Sequence, residues 1–441
     1  PHTIGITGNN LSDCPIPNPL TLPTHLRNLG YQTAMIGKGH EVLSWDQQAY
    51  EHIRYCDLTD ADPSDPRSVH YFQYLVDQGL ADDFDLGSLP PNHPGSGMRG
   101  FVSQIPAEHC VETWTGNESL AFLENKDDDK PFFLKMSFQR PHDPYAPSQE
   151  QMGQYDPDKL NLPENICDYL ERRFAGKPQF QQDYVNAGQR GYPYRPLDEA
   201  DLKLQLSYHL TLITEIDKQI GRVIDHLKQT GEYENTIIVY LADHGDFAGE
   251  HGLMLKNLGI YESIHRVPMI FHYPGGPKNQ KVNGLMQLVD VYPTLCDMAG
   301  VPIPEHLDGD SRVTMLNGKE PGMDHVVCEW DFGGNDQSTV FAVRTERYRL
   351  VYYLDHPDDG EFYDHNEDPG EINNLWATED VSIQMTRMQL IQLILNHVGR
   401  FKRAWSIADD RAAFAKYPDA PSYHIHKWKM KWSEAVEKGL V

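Results

Sequence analysis

The sequence predicts an α/β fold in which a mainly parallel sheet is sandwiched by helices, followed by a small α+β subdomain. Up to about residue 300, short apolar strand patterns alternate with helical patterns, and such alternation is typical of parallel sheets. Beyond about residue 320, closely spaced strand patterns and one amphipathic helix replace this alternation. We therefore predict a larger α/β domain at residues 1–320 and a C-terminal subdomain with its tail at residues 321–441.

The first predicted elements lie in "LTLPTHLRNLGYQTAMIGKGH", residues 20–40. Thr21 is suited to cap a helix that has a proline in its first turn, and Gly30 is suited to end that helix. Residues 31–36 have the apolar character of a short strand. The next four residues, "GKGH", leave the carboxyl end of this strand.

The middle of the chain continues the alternation. "ETWTGNESLAFLEN" (112–125) predicts a helix, and "KPFFLKMSF" (130–138) predicts a buried strand that ends on the charged loop "QRPHDP". Leucine and isoleucine recur at helical spacing over 198–230, and an apolar strand follows at 236–242. The polar stretch 41–108, rich in Asp, Pro and Gly, is expected to line a site rather than to build the core.

The C-terminal subdomain is predicted from three strand-like stretches and a helix. "HVVCEW" (325–330), "FAVRTERYRLVYYL" (341–354) and "GEFYDHNEDPGEINNL" (360–375) predict short antiparallel strands. "VSIQMTRMQLIQLILNHVGRF" (381–401) has the periodicity of an amphipathic helix.

The overall charge excludes one class of partner. The 441 residues include 38 Lys and Arg against 65 Asp and Glu, a formal net charge of −27. Nucleic acid is therefore not expected as a partner, because a phosphate backbone requires clustered cations. A small anionic substrate is compatible with this charge, since it responds to the local field of its pocket.

Composition leaves compartment and assembly open. No apolar run approaches the roughly 18 residues that a membrane-spanning helix needs, and none of the six cysteines forms a CxxC pair. The sequence begins at Pro1-His2-Thr3, without an initiator methionine, so we expect that upstream sequence is absent. The protein would be periplasmic or secreted if a signal peptide precedes this chain, and cytoplasmic otherwise; the oligomeric state is open.

Polar side chains cluster at three predicted strand ends, and in α/β sheets the ligand sites lie beyond the carboxyl ends of the strands. A carboxylate next to an imidazole suits a divalent cation, and lysines with further histidines suit an anion with several oxygens. Together they predict a site for a tetrahedral oxyanion ester. The candidate residues are Lys38, His40, His142, Asp243, His244 and Lys256.

Each of these residues also has a simpler interpretation. An isolated Asp-His-Gly is usually a turn, Lys38 could be a solvated loop lysine, and His142 could brace a proline-rich turn. Asp243 and His244 could also orient a nucleophilic serine, but the chain has no Gly-x-Ser-x-Gly elbow. The coincidence at three separate strand ends favours the site.

The same stretches resemble a known family. "GYQTAMIGKGH" resembles the stretch usually written GYxTAxxGKWH in sulfatases, and "PFFLKMSFQRPHDPYAP" is similar to PFFLxxSFxxPHxPxxxP. "TIIVYLADHGDFAGEHGLMLKN" (236–257) is similar to the second signature of that family, and "LVDVYPTLCDMAGVPIP" and "EFYDHNEDPGEINNL" follow in the same order. The chain is thereby identified as resembling a type I sulfatase of the alkaline-phosphatase-like superfamily, over residues 1 to about 375.

The resemblance implies a role for each candidate residue. Asp243 and His244 would be metal ligands, usually of Ca²⁺ in this family, with Mn²⁺ or Zn²⁺ as alternatives because of the imidazole. Lys38 and Lys256 would contact the sulfate oxygens. His142 would be the general acid for the leaving group. His40 would match the histidine that contacts the nucleophile.

The departures from the family pattern are equally informative. The family nucleophile is a formylglycine made from Cys or Ser in a C/S-x-P-x-R motif, and neither Cys14 nor any serine of this chain has that context. We expect this motif, and the first strand with two further metal carboxylates, upstream of the chain. Gly39 stands where the family usually has Trp, which predicts a larger pocket.

The predicted function is metal-dependent hydrolysis of sulfate monoesters, with a sulfated sugar as the favoured substrate class. Two alternatives stay open at this point: a phosphonate or phosphate monoester hydrolase of the same superfamily, and a non-catalytic anion-binding relative without a nucleophile.

Overall fold

The computed structural model describes residues 20–39, 49–56, 69–80, 83, 100–186, 197–256, 261–331, 339–354 and 356–404. His40, much of the polar stretch 41–108 and the tail beyond Ala404 lie outside these residues. The elements of the first half are α1 (Leu22–Asn28), β1 (Gln32–Gly37), β2 (His52–Tyr55), α2 (Val69–Gln78), α3 (Val111–Asn125), β3 (Phe132–Ser137), α4 (Cys167–Leu170), α5 (Gln179–Asn186) and α6 (Glu199–Gln229). The elements of the second half are β4 (Ile238–Leu241), α7 (Glu262–His265), β5 (Met269–His272), α8 (Val291–Met298), α9 (Val313–Leu316), β6 (His325–Asp331), β7 (Thr339–Thr345), β8 (Tyr348–Tyr353), β9 (Glu361–Asp364) and α10 (Val381–Ala404).

The parallel part of the fold is the sheet β2-β1-β3. β1 pairs in parallel with both neighbours, and Met35 lies opposite Ile53 on one side and Lys135 on the other. Parallel pairing places the carboxyl ends of β1 and β3 at one edge of the sheet, as the alternation predicts. β4 and β5 instead pair antiparallel. Among the described residues between them, the helical elements are the short turn Glu250–Gly252 and the four-residue helix α7, so this part of the chain shows no long helical crossover of the kind that normally produces a parallel pair.

The core forms where β1 is covered on both faces. Ala34 and Ile36 are fully buried against Phe122 of α3 and Leu227 of α6. Met35, pointing the other way, packs with Ala49, Tyr50 and Tyr55. The long helix α6 begins with a capping box in which the Asp198 side chain accepts from the Asp201 amide. None of the helices in the described ranges is long and apolar enough to cross a membrane.

The C-terminal part is an antiparallel sheet in the order β6-β7-β8-β9, with α10 packed on it, as the sequence predicts. A hydrophobic cluster joins this sheet to earlier parts of the chain, since Phe247 and Tyr261 pack with Val351 and Tyr363. The predicted boundary near residue 320 is therefore crossed by shared core, and its position stays a prediction.

A buried ion pair stabilises this junction. Arg349 Nη1 lies 2.7 and 2.8 Å from the two carboxylate oxygens of Glu371, and both side chains are almost fully buried. Glu371 also accepts the Glu262 amide at 2.8 Å and contacts His365 Nε2 at 3.0 Å. Burial alone would raise the pKa of Glu371, but Arg349 and His365 outweigh it and hold that pKa far below its ordinary value.

We expect Glu371→Gln to lower the free energy of unfolding at pH 7 by about 3–5 kcal/mol, because it leaves the Arg349 charge buried and unpaired. A carboxylate with a lowered folded-state pKa contributes stability above its ordinary pKa of 4.5 and loses it as the pH falls further. The difference between wild type and variant should therefore shrink below pH 4.5, as measured by urea unfolding at a series of pH values.

The matched control is Asp156→Asn, which removes a carboxylate from the exposed pair with Lys159. It should cost less than about 1 kcal/mol at any pH. Equal losses for the two variants at pH 7 would contradict a stabilising role of the buried pair.

Candidate active site

Lys38 and Asp243 come together from two different strand ends. Lys38 follows β1, and its amide donates to Ser137 O of β3 at 2.8 Å, so the lysine leaves the sheet at the shared carboxyl edge. Its Nζ lies 3.9 Å from Asp243 Oδ2, two residues beyond β4. The Asp243 side chain is 71% exposed; the desolvation that it does undergo would raise its pKa, but His244 and Lys38 outweigh this effect and lower that pKa, which favours the carboxylate.

Asp243 and His244 offer one oxygen and one nitrogen to a shared ligand. His244 Nδ1 donates to Gly245 O at 2.8 Å, which leaves Nε2 with the lone pair, 3.7 Å from Asp243 Oδ2. Burial lowers the pKa of His244, with Asp243 acting in the opposite direction, and the lowered value favours the neutral imidazole that ligates metals. Gly245 has no alternative here, because an added Cβ would lie 1.8 Å from Ser263 O. Both side chains are thus held in the form and position that suit a divalent cation.

Lys256 belongs to the same electrostatic group. Burial lowers the pKa of Lys256, the charge of Lys38 lowers it further, and Asp143, Asp243 and Asp246 oppose both effects. Lys256 is therefore near enough for the charges of Lys38 and Asp243 to act on it, although it follows Asp243 by 13 positions in sequence.

His142 lies in the loop that follows β3. Its Nδ1 is 2.9 Å from Asp143 O and 3.0 Å from Asp143 Oδ1. Two oxygens on one ring nitrogen fix the ring orientation and leave Nε2 as the atom for proton transfer. The connection to the other residues runs through Asp143, whose charge acts on Lys256. His40 is outside the described residues, and its predicted role stays a prediction.

Lys135 is a site residue that sequence reasoning missed. It lies on β3, opposite Met35 of β1, and burial lowers its pKa to about 8. The charge of Lys38 contributes to this lowering, whereas Asp243 opposes it. A lysine in the otherwise apolar stretch "FFLKMSF" was the signal that could have identified it.

The expectation that Gly39 enlarges the pocket is wrong. A Cβ at Gly39 would lie 2.0 Å from Tyr55 Cε1 and 2.4 Å from Met35 Cε. Tyr55 is 3% exposed and comes from β2, so its ring fills the space next to Gly39. The space that a large side chain at position 39 would need is occupied by the Tyr55 ring of the neighbouring strand.

A second group of potential metal ligands has another explanation. Glu262, His365 and Glu371 place ligand-type atoms within 4.8 Å of one another. Arginines already compensate the charge of this group: Arg349 binds Glu371, and Arg344 Nε lies 3.1 Å from Glu262 Oε2. We interpret it as an ion-pair network, and the pair at the end of β4 remains the candidate for the metal of the active site.

Comparison with known sequences identifies the family. Residues 1–301 match the profile described as Sulfatase, and residues 249–396 match N-sulphoglucosamine sulphohydrolase, C-terminal. An N-acetylglucosamine-6-O-sulfatase from Bacteroides thetaiotaomicron is 26% identical over 431 residues, which cover 84% of this chain and 71% of that protein. An arylsulfatase from Clostridium perfringens is 30% identical over 318 residues, which cover 71% of this chain and 62% of that protein.

Solved structures confirm the fold. A phosphonate monoester hydrolase from Silicibacter pomeroyi superposes with a TM-score of 0.70 at 22% identity, covering 91% of this chain and 85% of that one. A protein solved in complex with its substrate D-glucosamine-2-N,6-O-disulfate gives a TM-score of 0.66 at 21% identity, covering 91% and 86%. At such identities these likenesses establish the alkaline-phosphatase-like fold alone. With a family profile that matches more than half of its length, the chain belongs to the sulfatase family of sulfuric ester hydrolases.

Proposed function

We propose that this sulfatase hydrolyses the sulfate monoester of a sugar, with the ester bound where Lys38, Asp243, His244 and Lys256 meet. The observation that carries the proposal is the 3.9 Å approach of Lys38 to Asp243 from separate strand ends, with a neutral imidazole and a second lysine beside it. Such a group combines ligands for a cation with cations for an anion. A sulfate ester requires both, since its charge is spread over several oxygens.

The metal would be held by Asp243 and His244, and we propose Ca²⁺, with Mn²⁺ or Zn²⁺ as alternatives. The donor set fits: a carboxylate oxygen and an imidazole nitrogen lie 3.7 Å apart, close enough to share one ion. When bound, the ion would supply positive charge next to the ester oxygens. Lys38 and Lys256 would bind the remaining sulfate oxygens and orient the ester.

His142 would donate the proton that the leaving alcohol needs. A sugar alkoxide is strongly basic, so its departure is slow unless a positioned acid protonates the oxygen as the bond to sulfur breaks. The ring is held through Nδ1 by Asp143, and prolines at 141 and 144 restrict the loop on both sides. Nε2 is therefore the atom that would transfer the proton.

The nucleophile would be a formylglycine supplied by sequence upstream of residue 1, which would provide a hydrated aldehyde oxygen. The unpaired edges support added sheet structure near the site. Within the described residues β3 pairs only with β1, and β4 only with β5. Tyr240 of β4 and Ile270 of β5 are 36% and 61% exposed, although both are large apolar residues on strands.

A sugar is favoured as the alcohol part because several relatives are named for such substrates. They include the N-acetylglucosamine-6-O-sulfatase and a delta 4,5-hexuronate-2-O-sulfatase, both from Bacteroides thetaiotaomicron. A choline-sulfatase from Rhizobium meliloti is also 28% identical over 376 residues, so a small cationic alcohol is the competing substrate. Phosphonate or phosphate ester hydrolysis is a second candidate, which the imidazole at His244 favours because it suits softer metals.

The test is a comparison of sulfate, phosphate and phosphonate esters that share one leaving group, using the full-length protein. We expect kcat/KM to be highest for the sulfate ester, and higher for sugar sulfates than for choline sulfate. A preference for the phosphonate would overturn the proposal in favour of the second candidate. Absence of turnover on all three would indicate an anion-binding relative without a nucleophile.

We expect His142→Ala to slow the hydrolysis of sugar sulfates by about 10²–10⁴-fold, because an alkoxide needs the proton in the transition state. The rate of nitrophenyl sulfate hydrolysis should fall far less, since nitrophenolate is a stable leaving group without a proton. The measurement is kcat for both esters with the wild type and the variant. Equal losses on the two esters would contradict the general-acid role and indicate that His142 only braces its loop.

We expect chelation to abolish activity and added Ca²⁺ to restore it, because the cation offsets charge that two lysines alone cannot. Asp243→Asn should raise the Ca²⁺ concentration needed for half-maximal activity by more than about 10-fold, since it removes a charged ligand. The matched control is Asp128→Asn, whose carboxylate is 90% exposed and pairs with Lys126. Chelator-resistant activity, or an equal shift in the control, would contradict the metal assignment.

A further inference from the structure

Asp246 connects three parts of the site through its two carboxylate oxygens. Oδ1 accepts the backbone amides of Ala248 at 2.8 Å and of Leu255 at 3.0 Å. Oδ2 accepts the hydroxyl of Tyr145 at 2.7 Å. Ala248 and Leu255 belong to the same loop as Asp246, whereas Tyr145 lies 101 residues away, and none of the four is part of a strand. The carboxylate therefore links the loop internally and to a distant segment.

The bond to Leu255 acts on the residue directly before Lys256. Leu255 has a φ of +66°, a left-handed conformation that costs about 1–3 kcal/mol for a residue with a side chain. Its amide is fixed by Asp246, and its carbonyl accepts the Phe247 amide at 2.8 Å. Because the amide and the carbonyl of this strained residue are both hydrogen-bonded, the backbone direction at Lys256 is fixed.

The bond to Tyr145 reaches the loop of His142. Tyr145 lies three residues after His142 and is fully buried, with its carbonyl accepting the Phe101 amide at 3.0 Å. The ring of His209, on α6, packs edge-on against it with centroids 5.4 Å apart. Asp246 is thus anchored to a rigid side chain, and through it to the loop that carries the proposed acid.

The negative charge of Asp246 also stabilises the charged form of Lys256. Lys256 is partly buried next to Lys38, and Asp246 is one of three carboxylates that oppose the lowering of its pKa. The position of Lys256 therefore depends on Asp246 both through the backbone and through the field.

We propose that Asp246 is a positioning residue, which through Leu255 and Tyr145 sets the place of Lys256 relative to the His142 loop and so aims its ammonium at the sulfate oxygens. The inference rests on the proposed role of Lys256 as a sulfate ligand. Asp246 itself need not touch the substrate.

The experiment is a double-mutant cycle in the full-length protein with Asp246→Ala, Lys256→Ala and the double variant. Asp246→Ala should lower kcat/KM for the sulfate ester by about 10- to 100-fold and weaken inhibition by inorganic sulfate, as misplacement of a binding group does. In the Lys256→Ala background the same substitution should have almost no further effect. Asp246→Asn should retain more activity than Asp246→Ala, because its amide oxygen still accepts both backbone amides and its NH₂ can donate to Tyr145, while the charge near Lys256 is lost.

Two phenylalanine variants separate positioning from stability. Tyr145→Phe should also lower kcat/KM, and this effect should disappear in the Lys256→Ala background. Tyr353→Phe removes a hydrogen bond to Glu361 of the same 2.7 Å length in the C-terminal sheet. It should lose similar thermal stability without any change in sulfate inhibition. If Asp246→Ala does not fold, the Tyr145→Phe cycle decides.

The outcomes distinguish this inference from the proposed function. Additive losses for Asp246→Ala and Lys256→Ala, or restoration of the Asp246→Ala variant by excess Ca²⁺, would overturn the positioning role while leaving sulfate binding by Lys256 in place. A Lys256→Ala variant with unchanged kinetics would overturn the assignment of Lys256, and the inference about Asp246 with it.

Discussion

The active-site loop depends on side-chain acceptors, because backbone carbonyls accept only some of its amides. Between β4 and α7 the described chain forms only the short turn Glu250–Gly252, and Ala248, His251 and Leu255 have left-handed backbones. Amide groups in such a segment need partners from elsewhere. Asp246 accepts two of them, and Asn165 accepts the amide of His251 at 3.1 Å. Removing one acceptor therefore affects the geometry of a whole loop and not one contact.

The C-terminal sheet takes part in the same arrangement. His251 Nδ1 lies 2.8 Å from Asp168, Lys177 lies 3.4 Å from the same carboxylate, and all three side chains are buried. Lys177 also donates to the Tyr363 hydroxyl of β9 at 2.9 Å. A continuous buried polar path thus runs from the active-site loop to the C-terminal sheet. This part of the chain supports the site and is not merely appended to it, since unpaired members of such a path would be costly to bury.

Local sequence pattern was enough for the elements and for the strand ends at which the candidate residues lie, but not for the contacts that hold these residues in place. The strands that end at Lys38, His142 and Asp243 follow from apolar runs that stop at polar loops, because strand periodicity is a local property. The filling of the space beside Gly39 by Tyr55 was not predictable, since it depends on the packing of β2 against β1. The same limit applies to Asp246: its bonds span up to 101 residues, and neither periodicity nor spacing encodes such a contact.

The charges of the site explain how an acidic protein can bind an anion. The chain has a net charge of −27, yet the charges of Lys38 and Asp243 both act on Lys135 and on Lys256. Burial, with the neighbouring Lys38 charge, lowers the pKa of Lys135 and of Lys256, which means that the charged forms are less stable here than in water. The folded protein thus carries a local excess of positive charge that its own carboxylates offset only in part. An anion with several oxygens would offset the rest, so the burial and the repulsion that disfavour the charged lysines here favour the binding of a sulfate ester.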